Sequence, residues 1–357
     1  MGQAINARRG GKPVRELEGI VRRLSAYMIT WGDETDEAAY TLRRSLLDDL
    51  YPMHGGKLRA DGTWLQQSVR IDAPFSVQLP VLAREAGQRY APVLEDYSSE
   101  ECMAFLDSPE LWEGAIDDLL LLIDSRFDAP WDGVMYGFEG APSTYQAQTT
   151  DWFSMLAEAL QSEGMLALMG FPGRRGDTGP AYDGYYTFDY RALGPVMDRI
   201  NYGIAGYWAP APVTKGPYWW VKESLEYGLE TCEIPASKVY AYLTGWCLWC
   251  PDLESRQNMG YDQAMEMIGD TPIEWVEENV NGLVRENCAV LEDGVMWLLD
   301  GDYLNARLSL IDRYGIDGLG IYHPAWIADS LWQAIADWKR PASKPTDRFY
   351  QSPNWCA

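Results

Sequence analysis

The sequence predicts an α/β fold: a single (β/α)8 barrel with a small α+β insertion between strands seven and eight. Three observations predict it. Short apolar runs alternate with amphipathic helical stretches along the chain, the pattern of a parallel sheet covered by helices. No repeat, low-complexity tract or linker divides the 357 residues, a length that one large barrel with an insertion fills. The stretch between the last two runs is about twice the usual βα repeat and carries a helix of its own.

The elements follow in order. Residues 24–31 (LSAYMITW) form the first strand and residues 50–53 the second, followed by a turn-like stretch at 57–64 (KLRADGTW). A helix ends at Ala86 and Gly87, and residues 90–94 (YAPVL) form strand three, ending at Glu95 and Asp96. Residues 108–126 read as a helix, with Ser108 as its cap, Pro109 at the first helical position and acidic residues in the early turns. Strand four is 133–138, and a helix over 150–162 leads to strand five at 165–171 (MLALMGF). A tyrosine-rich loop at 182–190 precedes strand six at 199–205. A helix at 219–229, strand seven at 238–246 (KVYAYLTGW), a helix at 303–314 and strand eight at 317–322 (DGLGIY) complete the series. The clearest helix of the insertion is 261–268. The expected division is an N-terminal extension over 1–19, a barrel over 20–340 with its insertion at 251–302, and a C-terminal tail over 341–357.

Composition narrows the function. Hydrophobic residues make up 47 %, enough to bury a sizeable core. A net charge of −24 argues against nucleic acid and against anionic membrane surfaces, both of which demand Lys/Arg patches. The N-terminus is polar and basic, without the apolar core of a secretory signal, and no run of about 18 apolar residues is present to span a membrane. The expected address is the cytoplasm or a phage particle, unless a signal has been removed. The sequence leaves the oligomeric state open. Sixteen Trp and 22 Tyr, beyond their use in a core, favour a glycan site, because pyranose C–H faces stack on flat aromatic rings. Cys247 and Cys250 form a C-x-x-C near His323, but no second pair completes a closed zinc site, so free thiols or one local disulfide are expected and no metal. No G-x-S-x-G, Walker A or strand-following G-x-G-x-x-G occurs, so neither a nucleotide cofactor nor a serine hydrolase is expected.

Several segments, in the right order, resemble family 18 glycoside hydrolases, and within them the branch acting on spore-cortex and cell-wall peptidoglycan. These are 106–139, which ends in a DGxxxDxE-like strand; 194–200 (GPVMDRI); 216–221 (GPYWWV) with 234–240 (IPASKVY); and 296–300 (MWLLD) with 306–320 (ARLSLIDRYGIDGLG). The likeness spans roughly residues 20 to 335. It implies a (β/α)8 TIM barrel and a chitinase-like glycosidase that uses a Glu as general acid and the sugar's own acetamido group as nucleophile.

The chain departs from the family where the chemistry lies. Asp132, Gly133 and Glu139 fit the motif, but Met135 and Gly137 occupy the places of its inner acidic residues. The M-x-Y-D expected at strand six reads Gly203, Ile204, Ala205 and Gly206, and Tyr322 stands where the family often has a Trp floor. Glu139 is the expected general acid/base, or else a structural Glu paired with Arg174 or Arg175. Asp96 and Asp183 are candidates for a second catalytic carboxylate. Tyr207, Trp208, Trp246, Trp249, Tyr322 and Glu95 are candidates to bind substrate at the strand ends. Asp132 reads as a tie in the lower half of the barrel. Two functions follow: a glycosidase with an altered cleavage subsite acting on a cell-wall or other β-linked glycan, or an inactive carbohydrate-binding barrel of lectin-like or phage-tail type.

Overall fold

The computed structural model describes residues 22–28, 34–53, 55–65, 74–96, 98–125, 131–137, 141–177, 186–204, 214–252, 255–278, 284–316 and 318–340. The first half contains β1 (Arg23–Met28), α1 (Glu34–Arg43), β2 (Asp49–Pro52), β3 (Gly56–Leu58), β4 (Trp64–Leu65), α2 (Pro74–Glu85), β5 (Arg89–Tyr90), β6 (Val93–Asp96), α3 (Ser99–Leu106), α4 (Trp112–Ser125), β7 (Gly133–Tyr136), α5 (Gln146–Ser162) and β8 (Leu166–Pro172). The second half contains α6 (Tyr190–Val196), β9 (Arg199–Gly203), α7 (Tyr218–Glu226), β10 (Val239–Thr244), β11 (Cys247–Cys250), β12 (Gln257–Met259), α8 (Tyr261–Ile268), β13 (Glu274–Glu278), β14 (Val284–Leu291), β15 (Gly294–Trp297), α9 (Gly301–Arg313), β16 (Gly318–Tyr322) and α10 (Asp329–Lys339).

Eleven strands form one curled sheet in the order β4-β3-β6-β7-β8-β9-β10-β16-β1-β2-β5, parallel throughout except for the β3–β4 pair. Its edge segment β5 and the interior strand β6 are separated in the chain by only Ala91 and Pro92. The Ala91 N–H bonds Leu50 O on one side, and the Met135 N–H bonds Pro92 O on the other, each at 3.0 Å. Five antiparallel strands, ordered β12-β11-β15-β14-β13, form a second sheet from the chain between β10 and α9. Helix α8 covers one face of it through Ala264 and Ile268.

Period-two alternation sorts the strand residues into two layers. Leu24, Leu50, Leu94, Val134, Met169, Ile200, Leu243 and Ile321 join the large core between the sheet and its helices. Tyr51, Ala91, Val93, Met135 and Leu168 form a separate cluster on the inner face, with Tyr27 packed against it.

At the N-terminal end of the strands one side-chain pattern recurs. Asp48, Asp132 and Asp198 each precede a strand, and their carboxylates accept from Leu24 N (2.7 Å), Tyr90 N (2.8 Å) and Ala167 N (2.9 Å) of the neighbouring strand. Asp132, first residue of the motif-like strand, is such a clasp. A buried network closes the same end: Tyr240 Oη donates to Asp49 at 2.6 Å, and Arg89 bonds both Asp49 and Tyr240. The Tyr240 ring occupies the space where a Cβ at Gly318 would lie. Gly318→Ala is therefore expected to displace Tyr240 from Asp49 and to cost about 1–3 kcal/mol as an overpacked site, measured as a lower urea midpoint at unchanged m.

Three local expectations are corrected. Residues 57–64 are not a plain turn, because β3 and β4 pair as a hairpin over 57–65. Strand three is split, since Ala91 and Pro92 interrupt it between β5 and β6 and Pro92 has no N–H for the ladder. Ser108 caps nothing: its hydroxyl donates back to Ala104 O at 3.0 Å, closing α3, and a 3-10 turn over Pro109–Leu111 leads into α4. The cap that forms is Ser98, which accepts from Glu101 N and starts α3, a helix the sequence reading passed over. Among the described residues, no helix is long and apolar enough to cross a membrane.

Candidate functional site

The C-terminal ends of the parallel strands, where α/β sheets of this kind build their sites, carry an aromatic mouth. Tyr27 of β1 lies at its floor. Its ring centroid is 5.5 Å from Tyr51, 4.8 Å from Tyr242 and 6.4 Å from Tyr322, each edge-on. The Tyr27 hydroxyl accepts from Asn201 Nδ2 at 3.1 Å, and a Cβ on Gly170 would stand 3.8 Å from it. That glycine on β8 leaves the tyrosine room to lie across the sheet's concave face. Beneath it, Met135 Sδ is 3.9 Å from the same Asn201 amide, and Met135 is wholly buried.

The wall rises from β10 and β16. Thr244 is in register with Tyr322, and Trp246 follows β10 with its ring 4.7 Å from Tyr322 and 5.4 Å from Trp326. Burial, and after it the charge of Glu95, push the Tyr322 phenol well above its usual range, so the Glu95 carboxylate acts on the same wall from β6. Glu95 is also paired with Lys57 at 3.5 Å, because β3 and β6 place those two residues directly in register. His323 is buried, its Nδ1 accepts from Ala325 N at 3.3 Å, and its ring lies 4.9 Å from Trp326. The geometry can hold a ring-shaped, hydroxylated ligand between aromatic faces, with a carboxylate and phenols at its edge.

A buried cation borders this wall. Lys215 is 8 % exposed; its ammonium sits 4.5 Å from the Trp246 ring and donates to Asn258 at 3.2 Å. Burial first, and the neighbouring charge of Arg256 second, hold it down at about 8. A lysine that loses its proton more easily folded than unfolded makes the native state bind fewer protons between pH 8 and 10.5. Its contribution therefore destabilises below pH 8 and is relieved as pH rises through that window, by about 3 kcal/mol. Wild type is expected to gain stability by that order relative to Lys215→Met from pH 8 to 10.5, read from urea midpoints at each pH.

The sequence candidates divide. Trp246, Tyr322 and Glu95 meet at the mouth. Asp96 ends β6, with its side chain outside the described residues. Glu139, Asp183, Tyr207, Trp208 and His54 lie outside the described residues altogether. Trp249 is a correction: although it follows strand seven, it sits on β11 in the core of the second sheet, 4 % exposed and packed with Met259 and Met296. It supports that sheet and offers no face to a ligand. Cys247 and Cys250, three apart on a strand, point to opposite faces and join different clusters, so a local disulfide is also corrected. Burial pushes the Cys247 thiol up to about 12. Arg174 donates to Phe188 O and stacks 3.7 Å from the Tyr190 ring; Arg175 pairs with Glu223 at 2.7 Å.

Tyr27, Asn201, Tyr242, Lys215 and Trp326 escaped the sequence reading. Strand parity would have found two of them, since Tyr27 and Tyr242 share the inward parity of Ser25 and Tyr240. The others depend on partners far away in the chain.

No family model and no curated protein matches the chain. Solved structures do. A chitinase from Chromobacterium violaceum superposes with a TM-score of 0.76 at 17 % identity, over 90 % of this chain and 100 % of that one. The spore cortex-lytic enzyme SleL of Bacillus megaterium gives 0.73 at 16 %, over 88 % and 73 %. YKL-39, solved in the presence of chitooligosaccharides, gives 0.71 at 13 %, over 90 % and 100 %. The chain thus has a mixed α/β fold with a curled sheet, like that of these chitinases and the SleL enzyme.

Proposed function

We propose that the chain is a glycoside hydrolase of family 18 type that acts on a cell-wall or other β-linked glycan, with Glu139 as general acid/base. Residues 20–340 are read as one (β/α)8 barrel, with β5 and β6 as two halves of its third strand. Residues 251–302 are then an α+β insertion between strands seven and eight, and 1–19 and 341–357 flank the barrel. The observation that carries the reading is the mouth: Tyr27, Tyr242, Tyr322 and Trp246 converge at the C-terminal strand ends, and Glu139 follows β7 by three residues at that same end. In this reading the Glu139 carboxyl would be poorly solvated among such rings and so held protonated for its role as an acid.

The cleavage subsite differs from the family pattern. Met135 is a wholly buried packing residue, and the Gly137 N–H is tied to Leu94 O. Neither offers the charge that orients an acetamido group, so the sugar cleaved is read as one lacking that group. Asp96 and Asp183 are the candidates for the partner carboxylate, and Glu95 for a contact to substrate beside Tyr322. Tyr207 and Trp208 are placed by the same reading on the strand-six side of the mouth.

The buried Met135 also favours a second reading, a barrel that binds glycan without turning it over and relies on aromatics such as Trp208. The survival of an acid at 139 opposes it, since loss of catalysis without selection has no reason to spare that residue. The two part on hydrolysis of peptidoglycan, chitooligosaccharides and a broad glycan panel by wild type and Glu139→Gln. The enzyme reading expects wild-type release that the variant loses; the binding reading expects affinity without release from either.

A further inference from the structure

Beside the mouth, between α8 and the turn after β16, lies a second cleft of about 380 Å3, within the size range of small-ligand sites. The Trp326 indole forms one side, and Asn258, Asp262 and Gln263 form part of the other. Trp326 is half-buried and stands 5.4 Å from Trp246, so one aromatic wall serves both the mouth and this cleft. At Gly260 a Cβ would already touch Trp326 Cδ1 at 3.5 Å, and a longer side chain there would enter the space beside the indole.

The amide of Asn258 is oriented from behind. Its Oδ1 accepts from the Lys215 ammonium at 3.2 Å. An ammonium has no acceptor, so the amide NH2 cannot face it and is turned away, with both its donors. Lys215 in turn is fixed through its own carbonyl, which accepts from Tyr303 Oη at 2.7 Å. The cleft therefore combines a flat apolar face, an amide donor held by a buried cation, the amide of Gln263 and the carboxylate of Asp262. Hydroxyls of a pyranose satisfy amides and a carboxylate together, while its C–H face lies on an indole. The Asp262 carboxylate repels an anion, so the fitting sugar is neutral.

We propose that this cleft is a further subsite of the glycan-binding surface, taking a neutral pyranose unit of the same chain beyond the unit held in the mouth. It rests on the glycan reading above. Trp326 supplies the stacking face, Asn258 donates to the ring's hydroxyl oxygens, and Lys215 positions Asn258 without touching sugar.

The test is calorimetric titration of wild type, Trp326→Leu and Asn258→Leu with the disaccharide and hexasaccharide of three series: chitooligosaccharides, cellooligosaccharides and peptide-free peptidoglycan strands. Circular dichroism and thermal melting establish that each variant is folded, and Asn258→Leu, at an exposed position, decides the matter should Trp326→Leu not fold. Wild type is expected to bind at least one hexasaccharide. A folded variant is expected to weaken that binding about tenfold, the scale of losing an anchoring contact, and Asn258→Leu, which lies outside the mouth's wall, is expected to affect the disaccharide far less. Unchanged hexasaccharide affinity in every folded variant, or equal loss for both lengths in Asn258→Leu, overturns the subsite and leaves the glycan reading standing. Binding of wild type to none of the six sugars overturns the glycan reading, and the subsite with it.

Discussion

Arg307→Ala is expected to lower folding stability by about 3–5 kcal/mol, because it removes one member of a buried ion pair. Arg307 on α9 is wholly buried and pairs with Glu286 on β14, itself 3 % exposed. Its guanidinium also donates to Tyr303 O at 3.1 Å and Gly216 O at 3.0 Å, and lies 3.8 Å from the Tyr303 ring. Truncation removes the guanidinium beside the buried Glu286 carboxylate and takes a side-chain donor from the Tyr303 and Gly216 carbonyls at once. The pair itself need not stabilise, since taking two charges out of water offsets much of their attraction. The double variant Arg307→Met/Glu286→Leu is therefore expected to recover most of the loss. Urea unfolding of the three proteins measures both effects; a single variant within 1 kcal/mol of wild type (about fivefold in the folding constant) would refute the assignment. The side chain joins three elements, namely the second sheet, α9 and the segment that carries Lys215. Its loss is expected to disturb the mouth as well as the fold.

Much of the fold was legible because parallel strands buried on both faces read as continuous apolar runs. Residues 166–172 and 239–244 stand out in this way, and the run at 261–268 coincides with α8, whose Ala264 and Ile268 share one face. Where the signal failed, a local rule was overridden. Ser108 and Pro109 look like a helix start, but the Ser108 hydroxyl finds the Ala104 carbonyl behind it and closes the previous helix instead. The β3–β4 hairpin is too short to show alternation, and Lys57 makes sense only against Glu95 on a strand 38 residues later. Trp249 and Trp246 look alike in sequence. A two-residue break after β10 starts a new sheet, sending one tryptophan into its core and leaving the other at the mouth. The inner floor was the least legible part of the site. Tyr27, Asn201 and Gly170 lie on β1, β9 and β8, and only the curling of the sheet brings a hydroxyl, an amide and a missing side chain together.

Glu139→Gln is the substitution with the largest expected effect on activity. Glutamine keeps the shape and a hydrogen-bonding head but has no proton to give to a leaving oxygen. The loss of a general acid is expected to slow turnover about 10²–10⁴-fold. Affinity for uncleaved glycan should change little, since the neutral amide resembles the protonated acid in size and polarity. The pH profile should change too. Wild-type activity is expected to fall on the alkaline side as the acid ionises, and any residual activity of the variant should lose that limb. The decisive measurement is reducing-end release from peptidoglycan, chitooligosaccharides and a broad glycan panel, by wild type and Glu139→Gln side by side, with binding of each protein followed by calorimetry. The account predicts release by wild type, its loss in the variant and similar affinity in both; equal release from the two proteins would contradict it.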